Sequence, residues 1–184
     1  ACLEIKADPD TARDYTTRGN LVGVVTNLPS AIGLEDHDIL TPDQVRQIIR
    51  TQVDVVVPEG VAVLNADDAV VADLAELSDG EVLFYAQDAN NAHLTAHRQQ
   101  GGRAVFCLEG FVTLARGDQE TSLFHLDMDL IVKLLQQGLH INTLLAAVAT
   151  GWSLGITPLL IRAGIKNFGQ KHEQVTKDLA RMNG

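Results

Sequence analysis

Apolar residues in this chain fall into short runs that end at abrupt polar junctions, and the runs alternate between two periods. Leu21 to Thr26, Gly60 to Ala66 and Glu81 to Ala86 are near-continuous apolar stretches rich in β-branched or bulky residues. That is the pattern of strands buried on both faces. Cys2 to Ile5 reads as a further short strand. Between the runs the period becomes helical. Thr41-Pro42-Asp43 is a helix start, with Thr41 as N-cap and Pro42 at the first helical position. The helix that follows places Val45, Ile48, Ile49, Gln52 and Val53 near one face. Asp67 to Leu77 forms a second helix with Val70, Val71, Leu74 and Leu77 inward and Gly80 as its stop.

Asn90 to Gly102 fits either a short helix or a loop. Arg103 to Leu126 reads as strands joined by turns at Glu109-Gly110 and Gly117-Asp118. The C-terminal third is helical. One helix runs from about Asp129 to Gln137. A second begins at Ile141 and is apolar almost all round, so it is expected to be buried. A third starts at Thr157-Pro158, and a polar, amphipathic tail helix closes the chain. Strands separated by helical crossovers, followed by meandering strands, predict an α/β fold: three layers, with a largely parallel sheet flanked by helices.

Composition narrows the function classes. Hydrophobic residues make up 46% of the 184, enough for a real core, and aromatics only 4%, so that core is aliphatic. The net charge of −10 argues against a nucleic-acid surface, which needs clustered Lys and Arg. No run is long and apolar enough to suggest a membrane span, and no signal-peptide pattern is read at the start. Cys2 and Cys107 sit inside apolar runs and are expected to be reduced core residues. The chain opens at Ala1 as though a strand were already under way, which suggests a piece of a longer polypeptide.

Several constellations carry candidate chemistry. Neither G-x-x-x-x-G-K-[ST] nor G-x-G-x-x-G occurs, and Gly101-Gly102 precedes a strand rather than a helix. His93 and His97 have zinc-compatible spacing but no indicated third ligand, so surface histidines are the simpler reading. Glu35 to Asp38 offers carboxylates around His37 that suit a hard cation, against the simpler reading of a solvated acidic loop. The junction Asn65-Ala66-Asp67-Asp68 is the most informative. One aspartate there is explained as a helix cap. An amide and both carboxylates together, at the carboxyl end of a strand in an open α/β sheet, also point to a ligand.

These residues resemble the central ATP-binding domain of the Mur ligase superfamily, most closely the Mur-like C-terminal part of cyanophycin synthetases. Val57 to Asp68 looks like a Pro-x-Gly-x-x-Val-Leu-Asn-x-Asp-Asp segment. Val22 to Leu28 is similar to a strand ending in Thr-Asn, Gly101 to Phe106 to a strand of cyanophycin synthetases, and Asn142 to Phe168 to the Asn-x-x-x-Ala-Ala helix and the helix closing the domain. The resemblance implies residues 1–170 as a Mur-ligase-like central domain and 171–184 as a C-terminal helix that starts a linker or a next domain. It implies an ATP-dependent carboxylate–amine ligase of the cytoplasm, in which magnesium offsets phosphate charge while an amide forms through an acyl phosphate. The partners implied are a small-molecule or peptide substrate, with flanking domains or a homo-oligomer. In cyanophycin synthetases the corresponding half extends a polymer of aspartate and arginine.

Carried over residue by residue, Glu4 matches a magnesium-associated glutamate. Asn65, Asp67 and Asp68 match the nucleotide-site landmark, and Asn142 sits near an adenine-contacting asparagine, with Thr143 competing for the slot. The family's Asp-His pair, expected soon after Thr-Asn, falls on Ser30, Ala31 and Ile32; Asp36-His37 comes later, which makes His37 the candidate metal ligand beside Glu4. The family's lysine falls on Ile49, with Arg50 next, and no P-loop is present. These departures leave two expectations open: a ligase piece that is inactive by itself, and a degenerate domain used for assembly or regulation.

Overall fold

Consecutive crossovers that all step the same way along a sheet place their helices on one face, because each is right-handed. This chain is built on that rule. The computed structural model describes residues 23–25 and 42–168. The strand β1 (Gly23–Val25) leads to α1 (Pro42–Asp54), β2 (Val61–Asn65), α2 (Ala69–Ala72) with its 3-10 continuation (Asp73–Leu77), β3 (Glu81–Asp88), α3 (Ala92–Gln99) and β4 (Arg103–Leu108). A meander of β5 (Phe111–Arg116) and β6 (Gln119–His125) follows, then α4 (Met128–Gln136), α5 (Ile141–Ser153) and α6 (Pro158–Lys166). Among the described residues the sheet has six strands, in the order β1-β2-β3-β4-β5-β6. The first four are parallel, and β5 and β6 are antiparallel.

The alternation of side chains along each strand divides the core in two. Leu64, Phe84, Ala86 and Phe106 pack beneath α1, α2 and α3, together with Ile49, Val53, Val71 and Leu94. Val63, Leu83, Tyr85 and Val105 point the other way, toward Leu134, Leu144, Leu145, Val148 and Ile161. The expected three-layer α/β architecture with a largely parallel sheet is therefore what the chain adopts. Each fully buried Leu or Phe contributes about 1.5–3 kcal/mol relative to an exposed one. Among the described residues, no helix is long and apolar enough to cross a membrane.

Local chemistry sets the ends of these elements. Thr157 caps α6 by accepting the Leu160 amide, with Pro158 following it, and Asp127 caps α4 through the Leu130 amide. The β4–β5 turn places Glu109 and Gly110 at positive φ, 49° and 81°, as a tight hairpin requires. Two expected helix faces differ from the structure. On α1 the buried stripe is Ile49 and Val53, continued by Val56, while Ile48 and Gln52 face solvent. On α2 the backbone narrows to a 3-10 turn after Ala72, which changes the rotation per residue. Val71 and Leu74 face inward as expected and Leu77 packs against the same core, while Val70, which precedes the 3-10 turn, faces outward. The segment left between helix and loop, Asn90 to Gly102, contains α3. The strand expected at Cys2–Ile5 and the tail helix lie outside the described residues.

Candidate functional site

The carboxyl end of β2 carries the polar junction singled out above, and each of its side chains has a backbone partner. Asn65 is fully buried, and its Oδ1 accepts the Asp67 amide at 3.0 Å. This local bond turns the chain sharply out of the strand. Asp68 Oδ1 accepts the amides of Val70 and Val71 at 3.0 and 3.3 Å, so Asp68 is the N-cap of α2.

Asp67 reaches further. Between β3 and β4 the register moves from Ala86↔Phe106 to Asp88↔Cys107, so Gln87 is an extra residue in a β-bulge. A bulge removes a backbone N–H from the ladder, and Asp67 Oδ2 accepts that of Gln87 at 2.8 Å. A second tie runs in parallel. Asn91 Nδ2 donates to the Ala66 carbonyl at 2.8 Å, while Asn91 Oδ1 accepts the Leu94 amide and caps α3. The loops after β2 and β3 are thereby bound into one rim.

Gln87 also links this rim to α5. It lines a cavity of about 260 Å³ with Ile131, Leu134, Leu135, Leu139, His140 and Ile141. His140 is the N-cap residue of α5 and makes no side-chain cap bond. Asn142 lies two positions further on; its Oδ1 is buried and has no hydrogen-bond partner among the described residues. Thr143 is exposed on the same helix. Asn65, Asp67 and Asp68 therefore share one edge of the sheet with the start of α5, and Gln87 bridges the two groups.

The electrostatics of this edge follow from burial beside negative charge. Burial holds the Tyr85 phenol well above its ordinary range, and the Asp67 and Asp68 carboxylates add to the effect. Burial, then Asp67, push the Cys107 thiol up to about 11, so it is an unreactive neutral thiol near neutral pH. Cys107 is a free, half-buried cysteine, and Cys2 lies outside the described residues.

Glu4 and His37, the metal candidates, also lie outside the described residues, as do the other members of Glu35 to Asp38. Among the described residues, no group of His, Cys, Asp and Glu is arranged to hold a metal ion. The aliphatic lining of the cavity suits an uncharged ring, whereas Asn142 is not part of that lining and its Oδ1 is closed off from solvent. The surface reading of the histidine pair needs correction at His97, which is packed in. Its Nε2 bonds the Val82 carbonyl at 3.0 Å, and its ring meets Phe84 edge-on at 5.0 Å between centroids.

Gln87, Asn91 and His140 were not singled out by sequence reasoning. Asn91 does carry a signal, since an Asn just before a helical run is an N-cap pattern. Gln87 carries none, because a bulge between parallel strands leaves no mark in composition or period.

No family model matches the chain. The cyanophycin synthetase of Nostoc sp. (strain PCC 7120) is 29% identical over 180 residues, covering 95% of this chain and 20% of that protein. That of Synechocystis sp. (strain PCC 6803) is 30% identical over 177 residues, covering 90% and 20%. That of Trichormus variabilis is 29% identical over 180 residues, again 95% and 20%. The chain spans about one fifth of the length of these relatives, and nearly all of it is similar to part of each.

Proposed function

We propose that this chain is the Mur-ligase-like central portion of a cytoplasmic, ATP-dependent ligase that joins a carboxylate to an amine, in the manner of the cyanophycin synthetases. The observation that carries the reading is the similarity over 95% of the chain. Residues 1–170 form the central domain in this reading, and 171–184 lead out of it. The acceptor is a small molecule or peptide, and the phosphate-binding loop and remaining domains come from flanking chain.

Within this reading the roles of the described residues follow from their geometry. Bound Mg-ATP supplies the activating phosphoryl group. The cavity between α4 and the start of α5 offers an aliphatic surface to a ring, and Asn142 holds its place beside it in the same helix turn without lining it. Asn65, Asp67 and Asp68 act mainly by shaping the rim, since each accepts a backbone N–H. Glu4 and His37 are the proposed magnesium ligands.

A second reading is favoured by that same engagement of Asn65, Asp67 and Asp68. A domain whose polar landmark serves its own loops fits a non-catalytic role in assembly or regulation. Calorimetric titration with Mg-ATP separates the two. The complete polypeptide that carries this chain is expected to bind Mg-ATP, and the chain by itself weakly or not at all. A complete polypeptide that does not bind contradicts the ligase reading and leaves the second.

A further inference from the structure

The cavity beside α5 has walls that cannot, by themselves, distinguish one ligand edge from another. Ile131, Leu134, Leu135, Leu139 and Ile141 are aliphatic and accept any apolar body of suitable size. Aliphatic pockets discriminate weakly, whereas a positioned polar group rejects ligands that leave it unpaired. The polar residues on the lining are Gln87 and His140. At about 260 Å³ the space is smaller than that of a whole drug-sized ligand, so it takes a single ring system.

Gln87 has two features that suit it to discrimination. Its carboxamide presents a donor and an acceptor side by side, which match a heterocycle edge carrying the same pair. Its backbone is also held: as the bulge residue it lies outside the β3–β4 ladder, and its amide is fixed by Asp67 Oδ2 at 2.8 Å. Asp67 is itself set by the Asn65 turn. We propose that Gln87 determines which ring the cavity accepts, and that Asp67 is the residue that positions it. The inference rests on the ligase reading, because that reading places a nucleotide base at this edge.

The test uses nucleosides, which carry a base and need no phosphate site. Adenosine and purine riboside, which lacks the exocyclic amine, are titrated separately into the complete polypeptide that carries this chain. Binding is followed by calorimetry. One lost hydrogen bond corresponds to a preference for adenosine of about fivefold to tenfold. The preference is expected to vanish in Gln87→Ala and Asp67→Ala and to persist in Asp67→Asn, which keeps an acceptor oxygen. A purely structural role for Asp67 would weaken both nucleosides equally and leave the ratio unchanged. Equal affinities in the unaltered chain, a ratio that survives Gln87→Ala, or no binding of either nucleoside overturns the inference. The ligase reading falls separately, by loss of Mg-ATP binding to the complete polypeptide.

Discussion

Asp67 accepts the backbone amide of Gln87, twenty positions along the chain, at 2.8 Å. One carboxylate thus joins the end of β2 to the bulge of β3. The bond is exposed to solvent, which limits its worth to about 1 kcal/mol. Asp67→Ala should therefore lower the unfolding free energy by about that amount in urea titrations, and Asp67→Asn by less. An Asp67→Ala chain as stable as the parent would show that the bulge amide is satisfied equally well by water.

His97 should impose a pH dependence on stability. Burial lowers its pKa below the ordinary 6.5, against the opposing pull of the Val82 and Arg103 carbonyls and the Glu81 charge. The unfolded chain therefore takes up the proton first on acidification. The stability that depends on neutral His97 is fully present above pH 6.5 and is lost as pH falls through the lower folded value. Urea unfolding between pH 7.5 and 5 should show that decline, and His97→Gln should flatten it. The same packing makes Gly102 sensitive, because a Cβ there would run into the His97 ring. Gly102→Ala is expected to destabilise by about 1–3 kcal/mol.

At the opposite edge of the sheet, Arg103 is 7% exposed and donates to both carboxylate oxygens of Glu81, at 2.6 and 2.7 Å. Its guanidinium lies 5.1 Å from the Trp152 ring centroid and so ties the end of α5 to the strand starts. Lysine cannot reproduce a planar fork that is both bidentate and stacked. Arg103→Lys should cost about 2 kcal/mol and shift the emission of Trp152, the chain's single tryptophan. An unchanged spectrum and midpoint would show that the stacking contributes nothing.

The parts of the fold legible in the sequence were those written as period and punctuation. The continuous apolar runs gave β2 and β3, Thr157-Pro158 gave α6, and the two Gly-containing turns gave the β5–β6 meander. The faces of α1 and α2 were less legible at Ile48, Gln52 and Val70, because helical spacing shows which residues share a face and not how wide the buried stripe is. At the site, Asn65 was read correctly as a strand end and a cap was expected from one of the two aspartates, a place that Asp68 takes. The partner of Asp67 was not legible, since it depends on a register shift between β3 and β4. For His97, spacing alone showed one face shared with His93 and gave no sign that the ring packs against Phe84.

Phosphate release by the complete polypeptide that carries this chain is the decisive measurement, made with Mg-ATP in the presence of a carboxylate acceptor, an amine, both or neither. A ligase shows release that rises only when acceptor and amine are supplied together, with a new amide in the products by mass spectrometry. Release that ignores the two substrates, or no release with both present, contradicts the assignment.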